Sequence, residues 1–394
     1  MKSFWDSPFS KVVKREFDRI SGSWVFIFIT MIAPLFSFLL IMSIFSGGVP
    51  RNLPITVVDD DNTELSQKII RLVDATPIAA VAYRCPNVAE GKRLMEKGKT
   101  DAILYIQRDT EKEVYKARSP RIILYINNTN VVKGGLIYSG LYKVISTISA
   151  GIKLNVAMKS GAILTEQAMG QIMPVRVNSH ILFNPFGSYS YFLTTSLLPV
   201  MVIVFTLLGS IYAFGSELKN GTGPEWLDTA GNSITVAIAG KMLPYTILFM
   251  MQILVMDHIL FRYLGTPIRG SFSIILLTGF LMVLAYQCMA ILLIALSANL
   301  RLSLSLGSAY TMMALTFSGL TFPLIGMPVV AKVFAHLFPF TYWLKVFVGQ
   351  SLRGEPVVEA IAPMYTFIVF ILVSLMFVPR LKRILTDERY WGRV

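Results

Sequence analysis

Residues 24–45 have the sequence WVFIFITMIAPLFSFLLIMSIF, which contains no charged side chain. At about 1.5 Å of rise per residue, a helix of this length spans the roughly 30 Å hydrocarbon core of a bilayer. The run ends at Ser46-Gly47-Gly48, and Pro34 inside it predicts a kink. We therefore expect residues 24–46 to form the first transmembrane helix.

Further apolar runs follow at residues 190–214, 234–260, 272–297, 303–325 and 361–379. The whole chain is 54% hydrophobic and only 15% charged, with a mean hydropathy of +0.60, so it is too apolar for an ordinary soluble domain. The predicted fold class is an α-helical polytopic membrane protein with six transmembrane helices. The second to sixth of these occupy residues 189–379.

The segment of residues 47–188 has a mixed composition that predicts a domain folded in water. Strands are predicted at Leu53–Val58, Asp101–Ile106 and Arg121–Ile126, and helices at Thr63–Asp74, Asn87–Lys97 and Val131–Lys159. Strands that alternate with helices are typical of a small α/β domain. The predicted architecture is therefore a membrane bundle with an inserted α/β extracytoplasmic domain.

Basic residues cluster at both ends of the chain. They are Lys2, Lys11, Lys14, Arg15 and Arg19 before the first span, and Arg380, Lys382, Arg383, Arg389 and Arg393 after the last. The positive-inside rule then predicts a bacterial inner-membrane protein with both termini in the cytoplasm and a basic cytoplasmic tail at residues 380–394. The net charge of +13 does not form one stripe with interleaved aromatic residues, which argues against a nucleic-acid partner.

Residues 1–23 are predicted to form an amphipathic helix, with Ser7 as its N-cap and Pro8 at its first position. Apolar residues recur at helical spacing at Phe9, Val12, Val13, Phe17 and Ile20. Such a helix either lies in the membrane interface with its apolar side toward lipid, or packs on a partner in the cytosol. The basic residues on its other faces favour the interface.

Catalytic and cofactor motifs are not found in the sequence. The stretch from Gly91 to Thr100 resembles a phosphate-binding loop, but Arg93 stands where that loop requires glycine. The histidines His180, His258 and His336 lie far apart along the chain, without the spacing of a metal site. We expect no enzyme activity, cofactor or metal in this chain, so that another chain would handle any ATP.

Two short segments between predicted spans are unusual. The inner loop of residues 216–233 carries Trp226 and Leu227 on a short predicted helix, where they either dock into a cleft of a partner subunit or lie on the membrane. The outer segment of residues 326–350 is apolar but interrupted by prolines. It suits either re-entrant half-helices or an interfacial aromatic belt.

Polar residues within apolar spans are costly and often functional. Asp257 and His258 lie near the outer end of the third span. They form either a polar pair on a transport pathway or an interfacial pair that lies a residue or two from water.

Five motifs occur in a recognisable order along the chain. They are Lys14-Arg15-Glu16-Phe17, the stretch from Ile55 to Asn62, the stretch from Lys97 to Leu104, the loop from Glu217 to Thr229, and Phe338-Pro339-Phe340-Thr341-Tyr342. Together with the predicted spans, this ordered set resembles the permease subunit of a type-2 ATP-binding-cassette exporter. The resemblance is to the subgroup with a large extracytoplasmic domain after the first span, and it covers essentially the whole chain.

The resemblance implies an ATPase-coupling loop and an outer gate. The coupling residues would be Glu217, Gly221, Thr222, Glu225, Trp226, Leu227 and Thr229, and the gate residues Phe338, Pro339, Phe340, Thr341 and Tyr342. Pro224, Trp226 and Ala230 depart from the family pattern, in which an acid, a leucine and a proline are usual.

The resemblance also implies partners and a substrate class. Separate nucleotide-binding ATPase subunits would hold ATP and Mg, and a second permease subunit, identical or closely related, would complete the pathway; a periplasmic adaptor is a further candidate partner. The substrate would be a hydrophobic or amphipathic compound, such as a drug, a bile-acid-like molecule or a lipid, moved out of the cytoplasm or inner leaflet.

Two other classes of protein stay open. A membrane sensor would bind a ligand through the outer domain, but such a protein usually carries a cytoplasmic signalling domain, and none is predicted. An ATP-independent secondary transporter would show ionisable residues in the middle of its spans and internally repeated halves, and neither is clear in this sequence.

Overall fold

The computed structural model describes residues 7–116, 118, 120–159 and 189–392. The chain forms two compact units, one of Met1–Gly48 with Leu182–Val394 and the other of Val49–Ile181. The first six residues, residues 160–188 of the predicted outer domain and the last two residues of the basic tail lie outside the described residues, and with them Lys2, His180 and Arg393.

The helices and strands follow one another along the chain in this order. The N-terminal part contains α1 (Pro8–Gly22) and α2 (Trp24–Phe45). The α/β unit contains β1 (Leu53–Asp59), α3 (Glu64–Asp74), β2 (Ala79–Arg84), α4 (Val88–Glu96), β3 (Ala102–Ile106), α5 (Thr110–Tyr115), β4 (Ile122–Ile126) and α6 (Val131–Lys159). The remainder contains α7 (Tyr189–Asn220), α8 (Gly223–Thr229), α9 (Ile234–Tyr263), α10 (Phe272–Ser297), α11 (Leu300–Phe317), α12 (Val329–Ala335), α13 (Pro339–Val348), α14 (Val357–Leu375) and α15 (Val378–Thr386).

The α/β unit is built on a four-stranded sheet with the order β2-β1-β3-β4. Strand β1 pairs in parallel with both β2 and β3, whereas β4 pairs antiparallel with β3. Parallel neighbours require crossover connections, which α3 and α4 provide. The core of the unit consists of buried aliphatic side chains from the sheet and from α3 and α6, among them Ile55, Val57, Ile69, Val73, Leu104, Ile137 and Leu141.

The elements predicted in this unit are present, with small differences at their ends. Thr63 and Asn87, predicted as the first helical residues, instead cap α3 and α4 through their side chains. Strand β2 and helix α5 were not predicted. The reason for the first omission is that β2 begins Ala79-Ala80, two small residues without the alternation that indicates a strand.

Within the described residues, five helices are long and apolar enough to cross a membrane, namely α2, α7, α9, α10 and the α14–α15 pair. The span predicted at residues 303–325 corresponds to α11, which ends at Phe317. Helix α11 is not among the helices that are long and apolar enough to cross a membrane. Arg301 and several serines lower its hydropathy. The count of six spans therefore stays a prediction.

Burial shows which helices form the centre of the membrane unit. In α7 and in α10, 67% of the most apolar 18-residue stretch is buried inside the protein. The corresponding share is 22% in α2 and 17% in the α14–α15 pair. Helix α7 contacts α2, α9, α10 and α11. We conclude that α7 and α10 form the core of the bundle and that α2 and α14 lie at its periphery.

Helix α2 contains a π-helical turn at Phe28–Ile32, one turn before the proline that predicted a kink. A π turn displaces the ordinary backbone hydrogen bonds of an α-helix. The side-chain amide of Gln252 in α9 donates to the carbonyl oxygen of Thr30, inside this turn. The irregularity is thus stabilised by a neighbouring helix.

Candidate functional site

Helix α1 packs directly against α9 of the same chain. Val12 and Ile20 are buried there, and a Cβ added to Gly240 would lie 2.8 Å from the Val12 side chain, so only glycine permits this approach. The prediction that the apolar side of this helix faces lipid is therefore wrong for Val12 and Ile20. Phe17 stays exposed on the same helix, and the predicted cap Ser7 accepts a hydrogen bond from the Ser10 amide.

The end of α7 places Glu217 opposite α1. Gly221 has a left-handed conformation (φ +68°), which is typical of the residue that terminates a helix. The chain reverses there, and the Thr222 amide donates to the Glu217 carbonyl oxygen at 3.0 Å. The Thr222 hydroxyl also donates to the Glu217 carboxylate. Thr222, the second residue after α7, therefore holds the Glu217 carboxylate of that helix in place.

Glu217 is fully buried and is surrounded by cations. Arg15 donates to both of its oxygens, at 2.7 and 3.1 Å, and Arg19 donates to the same carboxylate. Lys241 Nζ lies 2.8 Å from Glu217 Oε1. Burial opposes the charge of Arg15, but its hydrogen bond and attraction to Glu217 outweigh this and raise the pKa of the guanidinium.

Glu16 is the second buried carboxylate of the cluster. Its Oε1 lies 2.5 Å from Lys241 Nζ and 3.1 Å from the guanidinium of Arg19, and Tyr245 donates to its Oε2 at 3.5 Å. The side chains of Glu16, Glu217 and Lys241 have no solvent exposure. We call Arg15, Glu16, Arg19, Glu217 and Lys241 the charge cluster; it holds three cations and two carboxylates, one positive charge in excess.

Sequence patterns missed the charge cluster as a unit, although Glu16 carried a signal. Glu16 is four residues from both Val12 and Ile20 and so lies in the middle of the buried stripe of α1. A carboxylate in an apolar stripe requires a buried cationic partner. Lys241, a single cation inside an apolar span, was the available candidate.

Trp226 and Leu227 of α8 are not exposed to a partner, contrary to the prediction. Their exposed fractions are 0% and 2%. The Trp226 ring packs 6.0 Å from Phe214 of α7, and Lys241 Nζ lies 4.6 Å from its centroid. Trp226, which was predicted to dock into a partner, instead anchors α8 to the charge cluster. The residues that α8 exposes are Pro224, Glu225 and Asp228.

A polar cleft of 590 Å³ opens beside the charge cluster, between α1 and the loop that precedes α8. It is lined by Lys11, Lys14, Arg15, Asp18, Arg19, Asn220, Thr222 and Glu225. Glu225 Oε1 lies 4.0 Å from Arg15 Nε, and the Glu225 side chain is 72% exposed. Of the remaining predicted coupling residues, Thr229 donates to the Glu225 carbonyl within α8.

Asp257 and His258 do not form the predicted pair. Asp257 is buried, at 2% exposure, and within the described part of the chain neither of its carboxylate oxygens has a hydrogen-bond partner. The next residue, His258, is exposed. Asp257 is thus shielded from solvent by the protein, and the interfacial depth of the two residues stays a prediction.

The predicted outer segment forms two short helices, α12 and α13, separated by a break at His336–Phe338. Phe338 and Phe340 are buried, and Phe338 packs 5.0 Å from Tyr310 of α11. Pro339 begins α13, and the Thr341 hydroxyl donates to the Ala335 carbonyl at 2.8 Å, which closes the break. Tyr342 is half-buried beside His336 and Phe370.

Comparison with known proteins identifies the family. The family model described as ABC-2 family transporter protein matches residues 24–378. The chain belongs to the ABC-2 transporter family. This ABC-2 protein is 25% identical over 190 residues to the probable multidrug ABC transporter permease YbhS of Escherichia coli K12, and equally to YbhS of Escherichia coli O157:H7. The matched region covers 47% of this chain and 49% of those proteins, so the chain spans about half the length of the curated relatives it matches.

Proposed function

We propose that this ABC-2 protein is the permease subunit of an ATP-driven exporter in a bacterial inner membrane. The observation that carries the proposal is the charge cluster, because its ion pairs connect α1, the end of α7 and the start of α9, and Lys241 also contacts the Trp226 ring of α8. A force applied to α8 or α1 would reach two membrane helices through those contacts. A permease driven by a separate motor requires such a connection.

In this proposal the chain hydrolyses no ATP and holds no cofactor. A partner ATPase subunit binds ATP and Mg, and it docks on the polar cleft and on the exposed side of α8. Pro224, Glu225 and Asp228 are the exposed residues of α8, and Lys11 and Lys14 supply positive charge from α1. Mixed charges at such a rim favour orientation and recognition of a partner.

Helix α11 supports a pathway shared with a second permease subunit. Its exposed residues include the polar Arg301, Ser305, Ser308 and Thr316 among apolar ones such as Leu302 and Met312, whereas the exposed large side chains of α2 are all apolar. Polar groups at membrane depth face a bundle interior or a water-filled cavity rather than lipid. Helix α11 would therefore line the pathway, and α2 would face lipid.

The proposed orientation has six spans, both termini in the cytoplasm, and the α/β unit on the outer side. The substrate would be a hydrophobic or amphipathic compound, leaving past the segment from Phe338 to Tyr342. The apolar spans support that class, and so does the similarity to YbhS, which is described as a probable multidrug permease. A periplasmic adaptor that contacts the α/β unit would be an additional partner.

The deciding experiment uses the full chain, purified with its partner ATPase and reconstituted into vesicles. The variant Glu225→Lys/Asp228→Lys reverses two charges on the exposed side of α8, and Glu96→Lys, an exposed acid in the α/β unit, is the control. We expect the double variant to lose the ATPase subunit and ATP-driven export of a lipophilic dye, while the control retains both. Wild-type levels of both in the double variant would overturn the docking face. Wild-type vesicles that export under a proton gradient alone, and not with ATP, would overturn the exporter.

A further inference from the structure

The C-terminal segment is more than a basic tail, because it folds back onto the loop between α7 and α8. Helix α15 buries Leu381, Ile384 and Leu385 in the core of the membrane unit. Beyond it the chain turns, and the Gly392 amide donates to the carbonyl oxygen of Leu218 at 3.3 Å. Gly392 thus lies against the last turn of α7.

Trp391 covers Gly221, the residue at which α7 ends. A Cβ added to Gly221 would lie 3.0 Å from the Trp391 ring, so the ring rests directly on the glycine backbone. The Trp391 indole N–H donates to the carbonyl oxygen of Leu385 at 3.2 Å, which fixes the orientation of the ring. The ring is therefore held by α15 on one side and supports the loop on the other.

A second glycine of the loop packs against the same helix. A Cβ added to Gly223 would lie 2.5 Å from the carbonyl oxygen of Leu385. Between the two glycines lies Thr222, whose hydroxyl donates to Glu217 of the charge cluster. The residues before and after Thr222 are thus both in contact with the C-terminal segment.

The loop needs such support for a physical reason. Glycine is the most flexible residue in an unfolded or mobile backbone, and a helix of seven residues such as α8 has little stability of its own. Trp226 and Leu227 anchor α8 from the side of the bundle. The C-terminal segment supplies the contact at the hinge, where α8 joins α7.

We propose that Trp391 is a positioning residue of the coupling loop: it fixes the Gly221–Gly223 hinge, and so the angle at which α8 transmits motion from the ATPase to α7. This inference rests on the proposed function. It gives the C-terminal segment a role in coupling, in addition to the topology signal that its basic residues provide.

The test compares three tail variants in the reconstituted complex: Trp391→Ala, Trp391→Phe and the exposed control Arg389→Ala. We measure the compound exported per ATP hydrolysed. Trp391→Ala should lower this ratio roughly fivefold or more, the lower range of ordinary coupling energies, while the ATPase subunit stays bound and continues to turn over. Trp391→Phe keeps an aromatic ring on Gly221 and should retain most of the ratio, and Arg389→Ala should equal the wild type.

Gly221→Ala provides an independent variant, because its methyl group collides with the ring from the other side. Alone it should lower the export ratio through this collision and through strain at the left-handed Gly221 backbone (φ +68°), and in the Trp391→Ala background it should lower the ratio less, since only the strain then remains. If Trp391→Ala cannot be recovered folded, Gly221→Ala decides, and an unchanged ratio in that variant overturns the proposal. Equal ratios for Trp391→Ala and the wild type overturn it as well. A wild-type complex without ATP-driven export would instead refute the proposed function itself.

Discussion

Helix α9 buries an ionisable side chain near each end, Lys241 and Asp257, and their environments are opposites. Near the start, Lys241 lies within 2.8 Å of two carboxylates and against the face of Trp226. Near the end, Asp257 is equally shielded from solvent, yet within the described residues neither carboxylate oxygen accepts a hydrogen bond. One helix therefore carries both a compensated and an uncompensated buried group.

The difference shows what each end can do. A buried charge is tolerated when opposite charges and hydrogen bonds replace its hydration. Removal of one member of such a cluster strongly destabilises the fold, because it leaves another charge buried without a partner. A buried carboxyl group without partners is tolerated most easily as the neutral acid. The start of α9 is thus built to stay rigid, whereas Asp257 makes no side-chain hydrogen bond within the described residues that its replacement would break.

The largest effect is expected for Glu217→Gln. Glu16 would then be the only buried carboxylate of the charge cluster, with the exposed Glu225 beside Arg15, and Lys241 has no access to water. Removal of one partner from a buried ion pair costs about 3–5 kcal/mol of stability.

The measurement for Glu217→Gln is thermal unfolding followed by maleimide labelling of the buried Cys288, in a Cys85→Ser background. Glu225→Gln, an exposed acid of the same loop, is the control and should unfold like the parent. An unfolding temperature equal to the parent's in Glu217→Gln would show that the cluster does not stabilise the unit.

A smaller effect is expected when Glu217→Gln is combined with Lys241→Met. The double variant keeps one positive charge in excess, as in the wild type, and leaves no cation in the fully buried position. It should recover roughly 1–3 kcal/mol relative to Glu217→Gln, the range of interaction energies between contacting residues. The same thiol-labelling melt measures it. Additive losses in the double variant would mean that the two side chains act independently.

The smallest effect is expected at the other end of α9. Asp257→Asn removes the acid and keeps its shape, and because no partner is lost, the stability should change by less than about 1 kcal/mol. His258→Ala, on the exposed side, should be equally silent. A loss as large as that of Glu217→Gln would show that Asp257 has a strong partner and would remove the contrast between the two ends.

Much of the fold could be predicted because its signals are local. Val131–Lys159 is found with the predicted bounds, whereas the helix predicted at 190–214 continues to Asn220, into the predicted loop. Long apolar runs need no tertiary information to indicate helices. Strand β2 could not be found in this way, because it begins with small residues and is exposed over its second half, so that its pairing with β1 rather than its own pattern specifies it.

The candidate site depended on information that no local pattern holds. Arg15 and Glu217 are 202 residues apart, and their ion pair exists only because α1 packs on α9 at Gly240. An aromatic residue in a polar loop must be covered by some neighbour, but the sequence does not show which one. Trp226 was therefore assigned to a partner subunit. The structure shows that this neighbour is Lys241 of the same chain.

The π-helical turn in α2 sets the phase of that span. Its buried side chains, Phe26, Thr30, Pro34 and Phe38, are spaced four residues apart. An α-helix rotates by about 100° per residue, so three steps of four would carry this stripe about 120° around the axis. The wider turn absorbs part of that drift and keeps the four side chains on one side. A periodicity search set to 3.6 residues would overlook the stripe, although it decides which side of α2 meets protein and which meets lipid.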